Sequence, residues 1–207
     1  PCSGCLFLQS GCLNAIALVK RYDHHTTGIT PGYNPRKPTE ENGNIKKEAM
    51  ITNNVTRLLD QRKIDYQAYE LPDEKLGALE TARYLDVAPE LVYKTIVVTR
   101  RGRGKPILAV VPGTAEVDLK ALAVALDEKK VKLPTQREAE DLTGLEAGGI
   151  SPLALLNRGF EVVIDTSAQA HEQIHVSGGQ IGLNIRLPVE ALKKLTKARF
   201  AAISAET

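Results

Sequence analysis

Along the chain from residue 50, apolar positions recur every three to four residues in some stretches and alternate with polar ones in others. Val55, Leu58 and Leu59 share one face of a helix that Asn53 or Asn54 caps and that ends near Lys63. Residues 66–71 read as a strand. Leu79, Ala82 and Leu85 mark a second helix over residues 78–85, and Pro89 bars its continuation. Strands at 91–99 and 107–111 are joined by a hairpin-like turn of Arg, Gly and Lys at 100–105. Helices at 119–126 and 136–142 flank a short strand marked by Val131 and Leu133. Three strands follow, at 161–164, 173–176 and 183–187, the last two joined through Ser177-Gly178-Gly179. A helix over 189–197 and a short segment at 200–203 complete the pattern. Strands adjacent in sequence, with short turns and interspersed helices, predict an α+β fold: a mixed, largely antiparallel sheet with flanking helices.

The first 49 residues lack any such period, and residues 28–43 have the Gly, Pro, Asn and Thr content of a linker. The expected organisation is a disordered N-terminal extension or linker over 1–49 and one domain over 50–207. All three cysteines, Cys2, Cys5 and Cys12, fall in the extension. With His24 and His25 they have the residue types of a zinc site, although the spacing is irregular and no second CxxC follows. The simpler reading is sequence upstream of a natural start at Met50, the one methionine.

Of 27 Lys/Arg and 25 Asp/Glu, six and four lie in 1–49, which leaves 21 of each in a formally neutral domain. Slight overall basicity is therefore no sign of nucleic-acid binding, and any RNA contact must come from local clusters. The domain, free of cysteine, has neither a disulfide scaffold nor a cysteine nucleophile. No apolar run approaches the ~18 residues of a membrane span, and the N-terminal apolar piece reads poorly as a signal peptide. A soluble, cytoplasmic protein is expected.

Two features carry candidate chemistry. On the strand at 91–99, Val92, Lys94, Ile96 and Val98 share the more apolar face, opposite Tyr93, Thr95, Val97 and Thr99. A lysine there either has a carboxylate, a cavity or a bound anion as partner, or packs its stem and lifts its head to water. Thr95 reads from the alternation as ordinary. The second feature is Gly148-Gly149-Ile150-Ser151-Pro152, a rigid loop able to present main-chain N–H groups to a carbonyl or a phosphate.

Other motifs are weaker. His171-Glu172-Gln173-Ile174-His175 matches the zinc-protease pattern HExxH, but Ile174 and Val176 alternate as in a strand. Four residues of strand span ~13 Å, too far for two imidazoles to share one ion. Ser177-Gly178-Gly179-Gln180-Ile181-Gly182 runs from strand to strand and lacks the helix of a nucleotide-phosphate site; it suits a hairpin turn lining a pocket. The turn at 100–105 and the group Lys193, Lys194, Lys197 and Arg199 are the candidate RNA contacts.

Taken together, Tyr93-Lys94-Thr95, the 148–152 loop and Val176-Ser177-Gly178-Gly179 with Gly182-Leu183 resemble the bacterial YbaK/EbsC family of prolyl-tRNA-editing-type domains, over residues 52–204. The resemblance implies that family's barrel-like editing-domain fold and a trans-editing activity, the cleavage of mischarged Cys-tRNA(Pro). It implies that Lys94 is the key residue, holding the phosphate or ribose of the terminal adenosine. The glycine-proline loop (Gly148, Gly149, Ile150, Ser151, Pro152) would offer N–H groups to the aminoacyl carbonyl. Tyr69, Thr95, Ser177, Gly178 and Gly179 would lie near the pocket. Leu76 stands where relatives often carry an aromatic, and Asn184 where an aspartate often follows the Gly-Leu pair.

The implied mechanism needs no cofactor, metal or nucleophilic side chain: the substrate's own thiol attacks its ester carbonyl. The implied partners are mischarged tRNA(Pro) and, in a transient complex, prolyl-tRNA synthetase, with neither membrane nor DNA. The alternatives are a water-mediated deacylase of Ala-tRNA(Pro) or another small residue, and a non-catalytic tRNA-binding module.

Overall fold

The computed structural model describes residues 52–102 and 104–206. The linker and zinc readings of residues 1–49, with Cys2, Cys5, Cys12, His24 and His25, lie outside the described residues. Elements follow in the order α1 (Asn54–Gln61), β1 (Gln67–Glu70), α2 (Ala78–Leu85), β2 (Tyr93–Arg100), β3 (Ile107–Pro112), β4 (Ala115–Val117) and α3 (Leu119–Ala125). Next come β5 (Val131–Lys132), α4 (Gln136–Thr143), β6 (Glu161–Asp165), β7 (Gln173–Ser177), β8 (Leu183–Pro188), α5 (Val189–Thr196), β9 (Arg199–Ala201) and β10 (Ser204–Glu206). Short 3-10 turns at Pro89–Leu91 and Thr166–Ala170 precede β2 and β7.

The core explains the pattern. Strand β3 is buried at all six positions, and its unbroken apolar run is that of a strand covered on both faces. Its neighbour β2 divides its residues: Tyr93 and Val97 join Leu59, Leu108 and Ile185 in one cluster. Ile96 and Val98 join Ile107, Leu122 and Ile203 in the other. Burial of this kind contributes roughly 1.5–3 kcal/mol per large side chain.

The larger sheet has the order β5-β2-β3-β6-β9. Strand β2 pairs antiparallel with β3 and β5, whereas β3–β6 and β6–β9 are parallel. Parallel pairing needs a long crossover, and α3, β5, α4 and the 148–152 loop supply it between β3 and β6. A second sheet, β1-β8-β7, is wholly antiparallel. One parallel bridge, Val92 to His175, joins it to the start of β2. Strands β4 and β10 form a separate two-stranded ribbon. The expected α+β class with a mixed, largely antiparallel sheet is thus observed. The described sheets do not close into a barrel, and the parallel pairs lie in the middle of the larger sheet, where β6 returns through that crossover.

Two polar devices lock the frame. Asp165 at the end of β6 is buried; its Oδ1 accepts from Ser167 N–H at 2.9 Å, and its Oδ2 from Ile203 and Ser204 N–H at 2.8 and 2.9 Å. Burial alone would raise its pKa, but these hydrogen bonds hold it below the ordinary aspartate range. Arg100 reaches Glu128 at 2.6 Å and also pairs with Glu161, which pairs in turn with Arg199. Lys193 lies 4.8 Å over the Phe200 ring. Of the basic residues expected to meet RNA, Arg100, Lys193 and Arg199 are engaged within the fold. Among the described residues no helix is long and apolar enough to cross a membrane.

Candidate active site

A cavity of about 440 Å³ opens where the start of β2, the β7–β8 turn, the loop before residue 150 and the N-terminal end of α2 meet. Lys94, Thr95, Gly148, Ile150 and Ser177 all line it. Residues 94, 148 and 177 are thus brought from three parts of the sequence to one hollow. Gly149, Ser151, Pro152, Tyr69, Gly178 and Gly179 are not on its lining.

Lys94 holds the second position of β2, paired with Val111 on β3. Its Nζ donates to Glu116 Oε1 at 2.6 Å, and its side chain is 24% exposed. Of the partners the strand pattern allowed, it has both a carboxylate and a cavity. Glu116 itself went unread in the sequence, because β4 is three residues long and 22 positions away. Thr95 corrects the reading from alternation alone. Its hydroxyl Oγ1 is buried and makes no hydrogen bond, and it is the one buried side-chain polar atom of that kind among the described residues. An unpaired buried hydroxyl costs about 1–3 kcal/mol, and this one belongs to a residue that lines the cavity.

The loop at 148–152 is built from its glycines. Gly148 has φ +95°, a conformation that favours glycine. Gly149 packs backbone on backbone: a Cβ there would lie 3.0–3.1 Å from main-chain atoms of Gln180 and Ile181. Its N–H is taken by Glu146 C=O at 2.9 Å. Proline has no N–H to give, so Pro152 offers none. The N–H groups of Gly148 and Ile150, the two loop residues on the cavity, make no hydrogen bond among the described residues. Ser151 and Pro152 are buried beneath the loop, and Ser151 Oγ accepts from Leu153 N–H at 3.3 Å. They support the loop without lining the hollow.

The opposite wall is the β7–β8 turn. Ser177 Oγ donates to Gly148 C=O at 3.4 Å and ties the two loops together. Gly178 C=O accepts from Asn53 Nδ2 at 2.9 Å, which fastens the turn to the start of α1. Asn184 on β8 also lines the cavity and is 4% exposed. Its Oδ1 lies 2.8 Å from Nδ1 of buried His175. Tyr69, opposite Asn184 on β1, stacks on His175 with ring centroids 5.4 Å apart and sends its hydroxyl to Gln67 at 2.8 Å. It stands behind the wall. Burial, with the Arg186 charge nearby, lowers the His175 pKa against the opposing effect of its hydrogen bond to Asn184 Oδ1. The ring is therefore neutral at pH 7.

His175 sits within β7, while His171 follows the 3-10 turn before it, so the HExxH match is not helical. Lys94, the buried unpaired hydroxyl of Thr95 and the free peptide N–H groups of Gly148 and Ile150 belong to residues that line the cavity. Groups of these kinds can receive an anion or a developing negative charge on a carbonyl oxygen.

Comparison with known proteins is consistent with this geometry. Residues 74–195 match the family model described as an aminoacyl-tRNA editing domain. The chain is 35% identical over 161 residues to EbsC of Enterococcus faecalis, a proposed Cys-tRNA(Pro)/Cys-tRNA(Cys) deacylase, covering 77% of this chain and 97% of that one. The fold is similar to the crystal structure of a proposed trans-editing enzyme for prolyl tRNA synthetase, with TM-score 0.63 and 21% identity over 75% of this chain and 99% of that one. It is also similar to that of a hypothetical protein, with TM-score 0.67 and 22% identity over 73% and 99%.

Proposed function

The chain belongs to the aminoacyl-tRNA editing domain family, and we propose that it is a trans-editing deacylase that cleaves the ester of Cys-tRNA(Pro). One observation carries this reading: Lys94, the unpaired Thr95 hydroxyl and the free N–H groups of Gly148 and Ile150 surround a single cavity. Its 440 Å³ falls in the range of small-ligand sites, about 300–1,000 Å³. The E. faecalis relative supports cysteine as the acyl group.

In this reading Lys94 leaves Glu116 to hold the phosphate or ribose of the terminal adenosine. The thiol of the bound cysteine attacks its own carbonyl carbon. A C–S bond forms, the C–O bond to the ribose breaks, and the thiol proton passes to the departing ribose oxygen. The products are a cyclic thiolactone and free tRNA. The Gly148 and Ile150 N–H groups bear the oxyanion of the intermediate, where one such donor is worth ~3–4 kcal/mol. Enforced proximity of thiol and carbonyl adds ~7–11 kcal/mol. No protein nucleophile is required, which suits a domain free of cysteine. The mischarged tRNA arrives through a transient complex with prolyl-tRNA synthetase.

The test compares release of amino acid from Cys-tRNA(Pro) and Ala-tRNA(Pro). Preferential cysteine release with thiolactone as product is expected. Rapid cleavage of the alanyl ester alone rejects the thiol mechanism, and salt-dependent tRNA binding without any release reduces the protein to a binding module.

A further inference from the structure

A second cavity, of about 220 Å³, adjoins the first at Gln180, the one residue that lines both. Its floor is apolar, with Val55, Leu145 and Leu155. Its polar rim separates into engaged and free groups. Asn53 accepts from the N–H groups of Val55 and Thr56 and donates to Gly178 C=O and Gln180 Oε1, the last at 3.1 Å. Thr143 Oγ1 donates to Ala139 C=O at 2.8 Å. Arg158, by contrast, has no carboxylate partner among the described residues. Its guanidinium lies over Gly144 at the carboxyl end of α4, where a Cβ would be 3.4 Å from Nη1. Helix carbonyls there favour a cation without neutralising it. The Asn54 side chain is likewise exposed and uncommitted, as is the amide nitrogen of Gln180.

We propose that this second cavity takes the nucleotide preceding the terminal adenosine of the tRNA. The inference rests on the deacylase reading above, because it assigns the first cavity to the terminal aminoacyl adenosine. A cavity below the ~300 Å³ of a drug-sized pocket fits one flat heterocycle. An apolar floor covers its face, and the amides of Asn54 and Gln180 meet its edge. The free cation, Arg158, faces the phosphate. The acceptor end of tRNA is single-stranded, so its bases are open to such capture. The Asn53 tether on Gln180 fixes the partition between the two cavities and so sets the register of the strand across them.

The test uses cysteinyl esters of adenosine and of the dinucleotide cytidylyl-adenosine, with wild type and Arg158→Met. Wild type is expected to cleave the dinucleotide ester with about tenfold higher kcat/KM. In Arg158→Met that advantage disappears while the adenosine ester is cleaved as before. Equal kcat/KM for the two esters in wild type overturns the proposal, as does an equal loss on both in the variant. Failure of the deacylase reading is scored separately, on intact Cys-tRNA(Pro). If neither small ester is cleaved, titration with unesterified cytidylyl-adenosine decides by NMR. Shifts at Thr143 and Leu145 that Arg158→Met abolishes support the second cavity, and their absence in wild type overturns it.

Discussion

Lys94 Nζ lies 2.6 Å from Glu116 Oε1, and the carboxylate side of this pair is 65% exposed. Glu116 sits on β4, whose partner β10 follows directly on the Ile203 and Ser204 amides that Asp165 holds. The ammonium on the cavity wall is thus aimed by a ribbon, not by a neighbour on its own strand. A pair this exposed contributes at most about 1 kcal/mol, which an incoming phosphate can replace.

Lys94→Ala is therefore expected to lower Cys-tRNA(Pro) cleavage by about 10²-fold or more. Its thermal midpoint should move by no more than ~4 °C. Glu116→Gln is expected to stay within about threefold of wild-type kcat, because the lysine keeps its position without its resting partner. Initial rates and thermal melts on the same preparations check both; an active Lys94→Ala removes this residue from the site.

Thr95→Val replaces an unpaired hydroxyl with a methyl of the same shape. Since that hydroxyl has no partner to lose, the variant should be as stable as wild type or more stable by up to ~1 kcal/mol. Cleavage should fall about tenfold. Urea melts beside kcat/KM measure the two effects; a loss of stability without a loss of activity contradicts the assignment.

Gly149→Ala puts a Cβ 3.0–3.1 Å from the Gln180 and Ile181 backbone. One of the two loops must shift, at a cost of about 1–3 kcal/mol. A shift of even a few tenths of an ångström moves the adjacent Gly148 and Ile150 N–H groups, so activity should suffer more than stability. The same kcat/KM and melting measurements check this.

Much of the frame is legible in the residues themselves, since burial on two faces writes the Ile107–Pro112 run and helical spacing writes Ala78–Leu85. The three cavity walls are readable too, because Lys94 on an apolar strand and adjacent glycines in a loop both break local expectations. Pairings that depend on distance are not. The parallel β3–β6 contact follows from a crossover, and His175 meets Asn184 only because β7 and β8 fold against each other. Alternation gives the side of the sheet that Thr95 occupies but not that its hydroxyl goes unpaired. Ion pairs across the sheet are hidden for a related reason: nothing in the runs that hold Arg100 and Arg199 shows that Glu161 sits between them.

The buried His175 ring gives the fold a pH dependence of known sign. Its native pKa is lowered from 6.5, chiefly by burial. As pH falls, the unfolded chain takes up that proton first, so stability that is complete above about pH 6.5 declines below it toward the lowered native value. Between pH 7.5 and 5.5 wild type should lose more stability than His175→Gln. Urea denaturation at the two pH values reads the difference, and parallel profiles for the two proteins contradict the assignment.

The wall at Gly148 and Ile150 presents peptide N–H groups, which every amino acid but proline supplies. Mutation has little purchase on it short of moving the chain. A change in the chemistry of the cavity is therefore made more readily elsewhere on its lining, at Leu76, Thr95 and Asn184, while the peptide wall stays as it is.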